Sequence, residues 1–194
     1  MTDYKIYLGY AAIAIGFIGY VPYIRDIFKN ETKPHFFSWF LWGLIESIIL
    51  AIQINQKAGA GAWVTGFTAL ACFIVAGLSV KKGVKEFHRI DWLLFAAALV
   101  SLVLWRLTKN PLSSTILLII TDAAAFSITF RKTFHHPFSE TLIEYFFSAL
   151  KSLVGIFALQ TYNLNTWLFF AYLVFANSAF VVMALIRRKQ LKQN

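Results

Sequence analysis

Charge and cysteine are what this chain has least of. Only 14% of its 194 residues are charged, against about 25% in soluble domains. Acidic residues number just 9, beside 18 lysines and arginines. A soluble fold with a hydrated surface is therefore a poor fit. The one cysteine, Cys72, lies within an apolar run, which excludes a disulfide scaffold and leaves the redox compartment open. No nucleophile elbow, phosphate-cradling glycine loop, zinc-binding motif or nucleotide fingerprint occurs, so nothing points to an enzyme or to a cofactor. The net charge of +9 could invite nucleic acid, but the basic residues fall between apolar runs rather than along one stripe, so no nucleic-acid partner is expected. What is abundant is apolar and aromatic, with 59% hydrophobic residues, 18% aromatic residues and a mean hydropathy of +0.65. The same composition excludes disorder. It predicts an all-α integral membrane protein with the lipid bilayer as its solvent.

A helix needs about 20 mostly apolar residues to cross the hydrocarbon core of ~30 Å. Seven stretches qualify: Ile6–Ile24, Phe36–Ile54, Ala62–Val80, Ile90–Leu107, Leu112–Phe130, Leu142–Gln160 and Leu164–Ile186. They are too long and too evenly apolar for barrel strands, which alternate with a period of two. The first run has neither a basic leader nor a small-residue cleavage site, so it reads as a span rather than a signal peptide.

Seven spans put the two ends of the chain on opposite sides. Thirteen of the 18 lysines and arginines flank one side, in the loops Arg25–His35, Lys81–Arg89 and Arg131–Glu140 and in the tail from Arg187. Four flank the other: Lys5, Lys57, Arg106 and Lys109. Basic residues in short loops stay on the cytoplasmic side, which predicts the N-terminus outside and the C-terminus inside a plasma (inner) membrane. Trp39, Trp63, Trp92, Trp105 and Trp167 fall near span ends, where an indole suits the headgroup layer. The tail residues Arg187, Arg188 and Lys189 are placed to meet anionic lipid.

The passage from the first span to the second resembles that from the fifth to the sixth. Tyr23-Ile24-Arg25-Asp26-Ile27-Phe28 leads to Lys33-Pro34-His35-Phe36, and Thr129-Phe130-Arg131-Lys132-Thr133-Phe134 leads to His135-His136-Pro137-Phe138. Gln53 and Gln160 close the following spans, and Trp63 and Trp167 open the next ones. Three helices, a linker and three helices form a parallel repeat about an axis along the membrane normal. The expected units are a triple-helix bundle over 1–81, a linker helix over 82–110 and a second bundle with a basic tail over 111–194.

With this repeat the chain resembles the PQ-loop and SWEET (MtN3-like) superfamily, and within it the bacterial-type seven-helix members. Its best local motif is Gly19-Tyr20-Val21-Pro22-Tyr23-Ile24-Arg25-Asp26-Ile27 with Lys33-Pro34-His35 and Ser38-Trp39. The dipeptide here is Pro22-Tyr23 where the family has Pro-Gln, and the second loop has Ile128-Thr129 without proline. The resemblance implies sugar-, vitamin- or amino-acid-like solutes. It also implies asparagines of the third and seventh helices at the binding level. Asn177 fits the seventh-helix place, whereas the third helix offers Cys72 and Phe73.

Charges in the bilayer interior cost about 2.5–3.5 kcal/mol each on insertion scales, so each asks for a partner or a use. Glu46, Asp122 and Lys151 lie deep in their spans, and Asn177 lies at a similar depth. Four polar groups from four helices at one level form a candidate binding layer. Two readings of Glu46 and Lys151 stand together, an ion pair joining the bundles or the lining of a solute path. Trp39, Trp42, Glu46, Ile49 and Gln53 share one helical face, as do Glu144, Ser148, Lys151 and Gly155, and both faces should point inward. Trp42 either stacks on a solute or packs the interior. Asp122 precedes Ala123, Ala124 and Ala125, which let a neighbouring helix close over the carboxylate. It either couples solute movement to protons or bonds a neighbouring helix.

Gly9, Gly16, Gly19 and Gly66 mark close helix approaches. Pro22 is a hinge for gating or a fixed kink. His35, His135 and His136 lack metal-ligand spacing and are expected at the interface or facing lipid, so no metal is expected. Together these predict a carrier or facilitator of a small polar solute working by alternating access, as a monomer or homo-oligomer. Glu46, Lys151, Asn177 and Trp42 would contact the solute, with Asp122 and Pro22 in coupling or gating. The rival reading is a non-transporting receptor or assembly factor on the same fold.

Overall fold

The computed structural model describes residues 3–85, 87–107 and 110–192. Lys109 and the side chain of Trp105 lie outside the described residues. The described chain is all-helical, with 84% of it in helices and no strand. Its helices are α1 (Asp3–Phe28), α2 (Phe36–Asn55), α3 (Ala60–Lys82), α4 (Arg89–Leu107), α5 (Pro111–His135), α6 (Leu142–Ala158) and α7 (Leu164–Lys192). Each apolar run of the sequence became one helix. Helices α1, α5 and α7 run past the apolar stretch into their basic flanks.

Five of these, α1, α2, α3, α5 and α7, are long and apolar enough to cross a membrane. Helix α6 has 17 residues and carries Glu144 and Lys151, while α4 carries Arg89, Asp91 and Arg106. Several long apolar helices point to a multi-pass membrane protein. The surface agrees, since Tyr7 on α1 is 71% exposed and Phe175 on α7 is 75% exposed while charged groups are buried inside.

Local chemistry sets the helix ends. Asn110 caps α5 by accepting hydrogen bonds from the backbone of Leu112 (2.9 Å) and Ser113 (3.3 Å), and Pro111 occupies the first turn, where no N–H partner is needed. Gly59 opens α3 at φ +67°, a conformation that L side chains rarely adopt, and any Cβ there would also run into the Gln160 side chain. Helix α1 continues through Pro22, whose ring removes one backbone bond from its last turns.

The packing repeats itself. Helix α3 lies against both α1 and α2, and α7 lies against both α5 and α6. Across the halves, α1 packs on α6 as α5 packs on α2, and α3 meets α6 as α7 meets α2. Exchanging each of the first three helices for its counterpart among the last three returns the same set of contacts. Helix α4 rests mainly on α5. The α1–α6 contact is the most extensive, and Gly19 is one cause. A Cβ at this position would stand 3.3 Å from both the Cα and the carbonyl oxygen of Glu144, tighter than ordinary packing.

Two expectations about surface position are corrected. Trp39 is 1% exposed, with its ring 5.1 Å from those of Tyr23 and Trp42, because α2 starts beneath the first loop and turns this face inward. Trp63 and Trp92 do lie on the outside. His35 is buried rather than facing lipid, since Asp91 of α4 and the rings of Phe37 and Phe87 enclose it, while His135 and His136 are exposed.

Candidate functional site

Five of the six residues singled out from the sequence line one buried cavity. Trp42 and Glu46 reach it from α2, Asp122 from α5, Lys151 from α6 and Asn177 from α7. Each lies near the middle of its helix, and none is more than 8% exposed. Pro22 does not line it. It stands between Tyr20, which does, and Tyr23, which belongs to the polar network below the cavity.

The two α-helical stripes behave as the 3.6-residue period requires. Trp39, Trp42, Glu46, Ile49 and Gln53 are all buried, and so are Glu144, Ser148, Lys151 and Gly155. Lys151 donates a hydrogen bond to the Thr68 hydroxyl (2.8 Å), which in turn donates to the Val64 carbonyl (2.8 Å). The ammonium also stands 5.1 Å from the centre of the Tyr20 ring, a cation–π distance. Glu46 makes no ion pair with it, and its Oε2 is buried without a hydrogen-bond partner. The direct ion pair, one of the two readings of these residues, is therefore not formed. Thr68 of α3 takes its place as the partner of the lysine.

The remaining polar groups are tied to their surroundings. Asp122 accepts a hydrogen bond from Tyr172 (2.7 Å), and Asn177 donates to the Leu173 carbonyl one turn earlier (2.8 Å). Of the alanines after Asp122, Ala125 is the buried one, where the Ser38 hydroxyl bonds its carbonyl (2.9 Å) and holds α2 against α5. Cys72 supplies the α3 wall, whereas Phe73 points away against Gly43. Sequence reasoning did not place Tyr20, Thr68 and Tyr145 at this site, because nothing in their spacing distinguishes them from ordinary packing residues. Glu144 was read as inward-facing without a part in the layer.

The cavity is small, about 40 Å³, which holds a few water molecules and no sugar-sized solute. Equivalent loops of the two halves meet in pairs, one pair near the basic flanks and the other at the opposite helix ends. At the basic end, Tyr23 and Tyr145 donate to the Glu140 carboxylate (2.7 and 3.2 Å), and Lys132 pairs with the same group. Thr141 bonds Asp26 (2.8 Å), and the backbone of Lys33 bonds that of Ser139 (3.1 Å). At the other end, the backbone of Gln160 bonds that of Ala58 (2.9 Å), Thr161 bonds the Lys57 carbonyl (3.1 Å), and Lys5 caps the Leu159 carbonyl. Gln53 there bridges Thr65 (2.7 Å) and the Thr166 carbonyl (3.2 Å).

A second crevice, lined by Leu50, Ile54, Ala62 and Trp63, has no titratable group. Among the described residues no three His, Cys, Asp or Glu side chains come together to hold a metal ion. The chain matches no family model, no curated protein and no solved structure.

Proposed function

We propose that the chain is a carrier or facilitator that moves a small polar solute across the plasma (inner) membrane by alternating access. The observation that supports it most is one cavity lined by Glu46, Asp122, Lys151 and Asn177 from four helices, with equivalent loops of the two halves bonded to each other on either side of it. A cavity of about 40 Å³ suits the contracted form of such a site, which opens to solute when the loops at one end part.

On this reading all seven helices span the membrane, with the N-terminus outside and the C-terminus inside. Helix α6, at 17 residues, stands at the short end of what a bilayer requires, and its packing against α1, α3 and α7 shields its charges from lipid. The helix exchange pattern supports two parallel triple-helix bundles joined by α4, the plan of the PQ-loop and SWEET superfamily. Glu46, Lys151 and Asn177 contact the solute, Trp42 forms an aromatic wall, Asp122 couples or tunes the movement, and Pro22 gives α1 a flexible point between the cavity and the Tyr23–Glu140 network.

The test is uptake by proteoliposomes across a panel of sugars, amino acids, nucleosides, vitamins and small amines. Saturable uptake of one class, lost in Asn177→Ala and in Glu46→Gln, is expected. Tight binding of a panel member without flux overturns the carrier in favour of a receptor on the same fold.

A further inference from the structure

The charges lining the cavity are unequal. Three carboxyl groups, Glu46, Asp122 and Glu144, face it with one amine, Lys151. Two of the three already have partners, since Glu144 accepts from the Ser148 hydroxyl (2.6 Å) and Asp122 from Tyr172 (2.7 Å). Glu46 is different. It is 3% exposed, its Oε2 has no hydrogen-bond partner, and the nearby ammonium is engaged with Thr68. A carboxylate held out of water without a hydrogen bond or a direct ion pair is costly, and a cation entering beside it lowers that cost. The walls favour the same guest. Tyr20, Trp39, Trp42, Phe126 and Tyr145 surround the acids with ring faces and edges, and aromatic faces attract organic cations. The buried Nε1 of Trp39 also lacks an acceptor, so the site offers a hydrogen-bond donor to a hydroxyl on the guest.

We infer that the cavity takes a small organic cation, an amine or quaternary ammonium with a neutral polar tail, bound beside Glu46 and against the aromatic wall. This rests on the reading of the cavity as the solute site and narrows its solute class.

Cys72 is the chain's single cysteine and lines the cavity, so the unmodified protein carries its own reporter. Purified protein in proteoliposomes is treated with trimethylammonioethyl methanethiosulfonate or with sulfonatoethyl methanethiosulfonate, two thiol reagents of similar size and opposite charge. Focusing by the carboxylates should make the cationic reagent faster by about tenfold or more, and Glu46→Gln should narrow the gap. Protection of Cys72 is then measured with choline, with its uncharged carbon isostere dimethylbutanol, and with glycine betaine, which adds a carboxylate. Choline should protect at concentrations about tenfold below the other two.

Equal reagent rates, or equal protection by dimethylbutanol, overturn the charge preference. Equal protection by glycine betaine overturns it in favour of a zwitterion. Uptake of a neutral sugar without any charge preference leaves the carrier standing and removes this inference. Choline protection without flux does the reverse. Failure of both reagents to react removes both.

Discussion

Glu46 and Lys151 look into the same cavity without bonding each other: the lysine ammonium is held by Thr68 at 2.8 Å, and Oε2 of the glutamate is buried and unpartnered. A pair that existed to join two bundles would be closed. This one is not, and the division between the two residues is testable through stability.

Thr68→Val leaves the buried ammonium without its acceptor and should cost about 1–3 kcal/mol, read as a lower Tm in detergent. Glu46→Gln removes a buried charge that makes no hydrogen bond or ion pair among the described residues, so its Tm should equal or exceed that of the wild type while uptake is lost. Had the two formed a buried ion pair, the glutamine variant would cost about 3–5 kcal/mol. A large Tm loss in Glu46→Gln with little in Thr68→Val contradicts the arrangement.

The network around Glu140 joins α1, α5 and α6 at the basic end. Tyr23→Phe deletes one of its hydrogen bonds, which has a charged acceptor and is worth about 1.5–3 kcal/mol, without disturbing the ring packing on Trp39. If that network is a gate, labelling of Cys72 by a membrane-impermeant thiol reagent from this side should rise about tenfold or more, the weight of about 1.5 kcal/mol in a two-state equilibrium. Unchanged labelling assigns the network to folding alone.

His35 gives the basic-end loop a pH dependence of known sign. Burial lowers its pKa from 6.5 to about 4, against the opposing pull of Asp91, whose Oδ2 lies 3.6 Å away; Lys132 and Arg131 add to the lowering. In the unfolded chain His35 protonates as pH falls through about 6.5, while in the folded chain it stays neutral until about 4. Stability from this group is therefore fully present above about pH 6.5 and is lost progressively towards about pH 4. His35→Gln should show a smaller drop in Tm than the wild type between about pH 7 and about pH 5. An equal drop in both proteins contradicts the assignment.

Apolar run length located all seven helices, with ends off by up to six residues where α7 runs on into its basic flank, and the helical period placed Glu46 and Lys151 on inward faces. Depth along each span was enough to bring Glu46, Asp122, Lys151 and Asn177 to one level, since helices that pack side by side share a depth scale. Partners were another matter. That Lys151 would bond Thr68 rather than Glu46 depends on how α3 is rotated against α6, which no single-helix pattern encodes. Proximity to a span end suggested the headgroups for Trp39, but its place on the Trp42–Glu46 face decides, and the rings of Tyr20, Tyr23 and Trp42 bury it. Glu140 and Tyr23 belong to segments 117 residues apart, and only the meeting of the two equivalent loops reveals the closure they form.

Access to Cys72 from the two faces of the membrane tests alternating access most directly. In separate right-side-out and inside-out vesicles, the membrane-impermeant cationic thiol reagent is applied and the modified fraction of this single cysteine is followed. A carrier exposes its central cavity to each side in turn, so modification from both faces is expected, with solute on either side slowing it. Modification from one face alone, or from neither, contradicts transport through this cavity.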